Sequence, residues 1–275
     1  NDTFVYDIDS APYYNNAEKT DYANMLDMTV EGMNAGVPTN YSPAFINYVE
    51  NIYIGYKFYE TADAEGIIDY DATVQYLFGF GLSYTSFTQE MGEVSESNGT
   101  ISFDVTVTNT GSQAGRDVIE VYFNPPYTNG GIEKASANLV RYDKTKLLEP
   151  GESQTVTISF AVEDMASYDE NGAGCYVLEA GDYVISINAD AHTILDSRTY
   201  AVGSTIIYDE SNPRASDDIA AVNRLQDAQG DVIFLSRADH FANYDEATAA
   251  PRNLDMPDEY IAGYRLNANY DPNAY

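Results

Sequence analysis

Between residues 91 and 202 the chain alternates strand and turn signals, and this constrains its fold more than any other feature. Ile101–Thr108 (ISFDVTVT) alternates apolar and polar residues strictly and stops at Asn109-Thr110-Gly111. Asp117–Phe123 is halted by Pro125-Pro126, and Leu139–Leu148 by Glu149-Pro150-Gly151-Glu152. Thr155–Val162, Cys175–Leu178, Asp182–Asn188 and Ser197–Val202 complete a set of seven. A period of two places one face of a strand in a core and the other in water. Short strands of this kind, with turns between them and no helical pattern, predict a mainly β fold: a β-sandwich of immunoglobulin or fibronectin type III kind. Two such sheets close a core without help from the flanks.

The flanks read differently. In residues 1–90, Asp21–Met33 has a ragged apolar spacing that predicts one short helix, and Thr39–Pro43 reads as a loop. Phe45–Tyr59 is dense in aromatic and β-branched residues; Ile52, Ile54, Tyr56 and Phe58 alternate as in a strand with one buried face. Phe78–Leu82 is a glycine-punctuated turn between aromatic anchors. Beyond the sandwich, Ser216 reads as an N-cap, with Asp217 and Asp218 at the positive end of a short helix that faces inward through Ile219, Val222 and Leu225. Asp231–Leu235 reads as a strand. From Arg237 to Tyr275 the text is polar and punctuated by Pro251, Pro257 and Pro272, which predicts a tail laid along a neighbour. Residues 1–45 and 237–275 have apolar groups too sparse for a core of their own.

Charge excludes whole classes of partner. With 13 Lys and Arg against 44 Asp and Glu, the net charge is −31, so the surface repels phosphate backbones and anionic headgroups. The expected partners therefore include no nucleic acid and no membrane. No apolar run approaches the ~20 residues a spanning helix needs. Asn1 stands first with no basic-then-apolar leader, so the chain reads as processed or as part of something longer. Acidity leans towards a secreted or cell-associated setting, and the Asn98-Gly99-Thr100 sequon adds nothing to that.

Chemistry-bearing groups are few. Cys175 stands alone, which rules out an internal disulfide, and as the first residue of a strand it reads as packing rather than as a nucleophile. His192 and His240 lie in different zones and read as surface or loop residues, so no metal site is expected. Gly79-Phe80-Gly81 lacks the third glycine and the helix of a phosphate-binding loop. Asp169-Glu170-Asn171-Gly172 looks like half of an ion loop, but without later ligands it reads as a solvated turn. No cofactor is implied. Among 44 acidic residues, carboxylate pairs chosen by eye carry no information.

A resemblance adds what patterning does not. YVENIYIGYKFYETADAEG (48–66) and VQYLFGFGLSYTSF (74–87) resemble a junction found in glycoside hydrolase family 3, the β-glucosidase family; Phe78–Thr85 matches eight positions in a row. Leu77 replaces a common proline and Lys57 a common arginine. Val105–Gly111, Ala114-Gly115, Val118–Tyr122 and Leu148–Ser153 resemble the fibronectin type III-like domain of that family. Leu225–Asp239 resembles the connector of members with inverted domain order.

The resemblance implies that residues 1–90 end an α/β sandwich domain, 91–202 form the fibronectin type III-like β-sandwich, and 203–275 lead towards a (β/α)8 barrel. It also implies that both catalytic carboxylates lie elsewhere. Ser216-Asp217 is not in the nucleophile's Ser-Asp-Trp-like setting, and neither Glu18 nor Glu31 sits in an acid/base motif, so no residue here is assigned to catalysis. The expected role is a scaffold within a bacterial, exo-acting retaining enzyme, with the barrel and upstream sandwich domain as partners in cis or as a separate chain. β-Linked glucosides or xylosides are then substrates only through the parent. The other reading is an autonomous carbohydrate-binding or adhesive sandwich whose tyrosines stack on sugars; the absence of Trp weighs against it.

Overall fold

The computed structural model describes residues 29–30, 39–40, 49–223 and 232–248. In chain order it contains strands β1 (Thr29–Val30) and β2 (Thr39–Asn40), then helices α1 (Tyr56–Ala64) and α2 (Tyr70–Thr73). Strands β3 (Phe87–Met91), β4 (Ser95–Ser97), β5 (Thr100–Asn109), β6 (Val118–Asn124), β7 (Asn138–Lys144) and β8 (Ser153–Ala161) follow. After a 3-10 turn at Val162–Met165 come β9 (Ser167–Asp169), β10 (Cys175–Leu178), β11 (Gly181–Asn188), β12 (Ile194–Val202) and β13 (Ile206–Tyr208). The short turns α3 (Ala238–Phe241) and α4 (Tyr244–Thr248) close the described chain. Two units are distinguished: one takes in residues 50–223 and 235–244, and the other includes β1 and β2, an antiparallel pair with Thr29 opposite Asn40.

The larger unit is the expected β-sandwich. In one sheet β5 pairs with β8 along one edge and with β3 and β4 along the other. The second sheet runs β12-β11-β6-β7, all antiparallel. Alternation delivers Ile101, Phe103, Val105 and Val107 of β5 to a core shared with Ile119, Val121 and Phe123 of β6 and Tyr183, Ile185 and Ile187 of β11. Open edges invite unwanted pairing. Here the edge strands β3 and β12 are stitched by side chains: Arg198 Nη2 donates to Met91 O (2.5 Å), and Met91 N to Asp196 Oδ2 (3.4 Å). A third small sheet, β13-β10-β9, holds Cys175–Leu178, so that segment is a strand outside the two main sheets.

Several local readings need correction. The strand expected over Phe45–Tyr59 is, from Gly55 onward, a turn into α1. Gly55 adopts φ 59° and ψ −131°, which ends any extended run, and Phe58, Thr61 and Ala62 then fall on one buried helical face. Residues 45–48 lie outside the described residues. Of the helix expected over Asp21–Met33, Thr29–Val30 is strand and the rest lies outside the described residues, as does the loop beyond Thr39–Asn40, itself strand.

No helix starts at Ser216. Glu163 accepts hydrogen bonds from Ala215 N (2.8 Å) and Ser216 N (3.1 Å), Arg214 pairs with Asp217, and Ile219 and Val222 stay exposed, so there is no face to bury. Leu225 lies outside the described residues. Val232–Leu235 enters no ladder, and Leu235 is buried without being in a sheet. The polar reading from Arg237 onward also undercounts burial, because Arg237 and Phe241 are both enclosed.

Candidate functional site

Strand periodicity leaves Tyr122, Ser186 and Asn188 on the outer face of the second sheet, yet all three are buried. Part of the cover is α1 and the chain around it. Tyr56 meets Tyr122 edge-on (centroids 6.0 Å), stacks on Phe78 (4.5 Å) and accepts a hydrogen bond from Leu139 N (2.9 Å). Ser136 N donates to Thr61 Oγ1 at 3.0 Å. The chain returns over the same face at Gly79, where φ is 89° and an added Cβ would sit 2.5 Å from Glu120 Oε2. A side chain there would be strained at this φ and would have to push the Glu120 carboxylate aside.

Two carboxylate-centred knots tie this layer together. In the first, buried Glu60 accepts from Tyr70 Oη (2.5 Å) and from His192 Nδ1 (2.9 Å), and the Tyr70 and His192 rings stack with centroids 3.9 Å apart. His192 is thus the loop residue expected, with a specific job: it joins the strand-connecting loop to α1.

The second knot seizes the connector. Glu133 accepts from Tyr53 Oη, from Ser236 Oγ (2.5 Å) and from Arg237 N (3.0 Å). Arg237 donates from Nε to Glu65 Oε1 (2.6 Å) and from Nη1 to Lys134 O (2.9 Å), and its guanidinium lies 4.1 Å from the Tyr127 ring centroid. His240 Nδ1 reaches Glu65 Oε2 at 2.6 Å, and Asn129 and Asp239 exchange hydrogen bonds of 2.7 and 2.8 Å. The buried Lys134 ammonium is held by Pro126 O (2.7 Å) and Glu179.

Between these anchors Asp239, His240 and Phe241 have φ of 51°, 60° and 56°. Left-handed backbone costs a non-glycine residue roughly 1–2 kcal/mol, so three in succession persist only because the surroundings impose them. Phe241, edge-on to Tyr53 (5.0 Å) and Phe58 (5.8 Å), supplies much of the imposition.

The arrangement ties separate segments of the chain together. Glu60, Glu65 and Glu133 are all engaged by donors. Burial pushes the Glu120 carboxyl up despite the Tyr122 hydroxyl at 2.8 Å. Among the described residues no group of three His, Cys, Asp or Glu side chains is arranged to hold a metal ion. Cys175 is a buried free thiol pushed above its ordinary range by burial, in keeping with its reading as a packing residue. Asp169 accepts from Gly172 N (2.9 Å) and Ala173 N (2.8 Å), which makes the Asp169–Gly172 segment a self-satisfied turn. Sequence reading missed Glu60, Glu65 and Glu133, whose partners lie 103 to 175 positions away in the connector pairs and 132 in the His192 pair.

Glu133→Ala strips the acceptor from a buried phenol, a hydroxyl and a backbone amide. At about 1–3 kcal/mol for an unsatisfied buried donor, a loss of about 3 kcal/mol is expected in urea denaturation. Hydrogen exchange should quicken at residues 236–243 first; unchanged exchange there shows that the knot does not hold the connector. Acid should loosen the same place. Burial raises the Glu65 carboxyl, but the Arg237 guanidinium and the His240 ring outweigh it and hold the group below the usual carboxylate range. That stability is complete above the ordinary value of about 4.3 and lost as pH falls through the lower folded one. Protection at 236–243, corrected for intrinsic rates, is expected to fall only below about pH 4; loss of protection between roughly pH 6 and 5 contradicts this assignment.

The fold already places the chain in a class, and comparison agrees: residues 117–191 match the family model described as a fibronectin type III-like domain. The chain is 36% identical over 185 residues to β-glucosidase A of Butyrivibrio fibrisolvens, covering 60% of this chain and 21% of that one. It is 33% identical to a β-glucosidase of Ruminococcus albus, covering 59% and 17%. Among solved structures, β-glucosidase 3B of Thermotoga neapolitana with α-D-glucose matches at 36% identity and a TM-score of 0.51, over 58% of this chain and 21% of that one. The β-glucosidase of Kluyveromyces marxianus with glucose matches at 30% identity and 0.52, over 58% and 18%. The chain carries a fibronectin type III-like domain and is similar over about three fifths of its length to β-glucosidases, in line with the resemblance carried by the Phe78–Thr85 motif. It spans about a fifth of the length of these relatives.

Proposed function

We propose that this chain is the non-catalytic scaffold portion of a β-glucosidase-type, exo-acting glycoside hydrolase, and that it packs the two catalytic domains of that enzyme together. In this reading residues 1–90 end the first catalytic domain, 91–202 form the accessory sandwich and 203–275 lead to the second. The observation that carries it is the second knot. A segment that would be a slack linker is instead gripped by Glu133, Glu65 and Asn129 and held in a left-handed turn, as a chain is where its exit direction matters.

The relatives are β-glucosidases, which supports β-linked glucosides as substrates of the whole protein. The test is made in the full-length polypeptide. Releasing the connector with Glu133→Ala plus Asn129→Ala should cut kcat/KM on an aryl β-glucoside at least tenfold, with the sandwich still folded by circular dichroism. Unaltered kcat/KM with a demonstrably freed connector refutes a positioning role.

A further inference from the structure

One stretch of surface is at odds with the rest of the molecule. From Ala72 to Gln89 there is no charged residue, in a chain of net charge −31. Within it Tyr76 and Phe80, in ring contact at 5.8 Å, are exposed in part, and Leu82 and Tyr84 stand in water, 92% and 98% exposed. Single exposed apolar residues are ordinary, but a run of them on one segment marks a surface that something covers.

The segment is not slack. Phe78 is stacked on Tyr56 and its carbonyl accepts from Ala191 N (2.8 Å). Phe80 N donates to Leu77 O (3.1 Å), and Thr85 Oγ1 to Asn109 Oδ1 (2.8 Å). Gly111, packed against Thr85 and Ser86, leaves no room for a side chain at the far end. A bare apolar strip tethered at both ends has its shape before any partner arrives, which lowers the ordering cost of docking.

We infer that the Tyr76–Tyr84 strip is a docking surface for the remaining polypeptide of the family 3 enzyme, presented by that polypeptide as an apolar face free of acidic groups. This rests on the scaffold reading above and names its contact. The length of relatives left uncovered by this chain, about four fifths, supplies ample protein for the purpose. Charge argues against a second copy, since two chains of −31 repel one another on approach. Chemistry argues against a sugar: sugar sites pair an aromatic platform with several aimed polar groups, whereas from Tyr76 to Tyr84 the strip has no carboxylate, amide or cationic side chain and offers only the Ser83 hydroxyl and the two phenols.

Thiol labelling tests this, because buried Cys175 is the only native cysteine. Leu82→Cys is compared with Asn98→Cys on the exposed β4–β5 turn, in this chain and in the full-length polypeptide, using a maleimide reagent. In the chain both sites should label at the rate of a small free thiol. In the full-length protein Asn98→Cys should be unaffected and Leu82→Cys slowed at least a hundredfold, with Tyr84→Cys reproducing the result. Fast labelling of Leu82→Cys in a full-length protein that hydrolyses aryl β-glucosides overturns the docking surface and leaves the scaffold reading standing. A full-length protein without that activity overturns the scaffold reading and the surface with it. Protection in the chain alone that grows with its own concentration, or on adding cello-oligosaccharide, overturns the choice of occupant.

Discussion

Purified by itself, the 275-residue chain is expected to leave aryl β-glucosides and aryl β-xylosides at the background rate at every pH, while the full-length polypeptide hydrolyses them. Retaining hydrolysis needs a nucleophile and an acid/base about 5 Å apart on either side of the glycosidic bond. The carboxylates of the junction, Glu60 buried and Glu65 and Glu133 partly so, are committed elsewhere: Glu60 to Tyr70 and His192, Glu65 to Arg237 and His240, and Glu133 to Tyr53, Ser236 and Arg237. Freeing one of them for chemistry would leave buried donors unpaired. Enzymatic rate enhancements start at about a millionfold, so the contrast between chain and parent is large in a chromogenic assay. Saturable turnover by the chain alone, abolished by Glu60→Gln or Glu120→Gln, would place an active site at the junction and refute the scaffold reading.

What the sequence discloses depends on how far apart interacting residues lie. The period of β5 survives intact in the fold because strand burial is a local property: Ile101, Phe103, Val105 and Val107 are inward wherever the strand pairs. The Tyr53–Phe58 run misleads because aromatic residues serve both periods, and Gly55, the one residue that forbids continuous extension, is a single letter within it. β3 escapes notice because Phe87–Met91 (FTQEM) has apolar residues only at its two ends, and β13 because it has three residues, with Ile206 and Tyr208 joining the core only once the two sheets have closed over it. The connector knots are the least legible. Glu133 and Ser236 are 103 positions apart, in a loop and in coil, and no periodicity links them. The resemblance in Leu225–Asp239 marks that segment without saying that Arg237 is buried in it.

The proposed scaffold function and this illegibility share a cause. A linker that merely tethers leaves its polar groups in water, whereas one that sets a direction must bury some of them and supply partners from distant parts of the chain. Glu65 and Glu133 sit after α1 and in the β6–β7 connection, and they converge on residues 236–240. The sandwich beneath provides a rigid base, since β6 and β11 are paired on both edges.

Alkali is expected to unfold the protein cooperatively above about pH 10, ahead of any general loss of solubility, because four phenols that anchor the structure cannot ionise in place. Tyr53, Tyr122 and Tyr183 are at most 2% exposed and Tyr70 is 5% exposed. Burial is the largest cause in each case, and it pushes all four hydroxyls up, Tyr183 to about 12. For Tyr53, Tyr70 and Tyr122 the hydrogen-bond acceptor is itself a carboxylate, so a phenolate would face Glu133, Glu60 or Glu120. The unfolded value is about 10, below the folded one in every case. Folding is therefore unopposed up to that pH and penalised by about 1.4 kcal/mol per tyrosine for each further pH unit, until the folded value is reached. At pH 11 the four together cost about 6 kcal/mol, near the lower end of the stability of a whole domain. A step in tyrosinate absorbance should coincide with loss of the β-sheet circular dichroism signal, and Tyr183→Phe should move both to higher pH. Complete ionisation of all 25 tyrosines with the β-sheet signal intact would show that these hydroxyls are not enclosed as the packing around Tyr53 and Tyr122 requires.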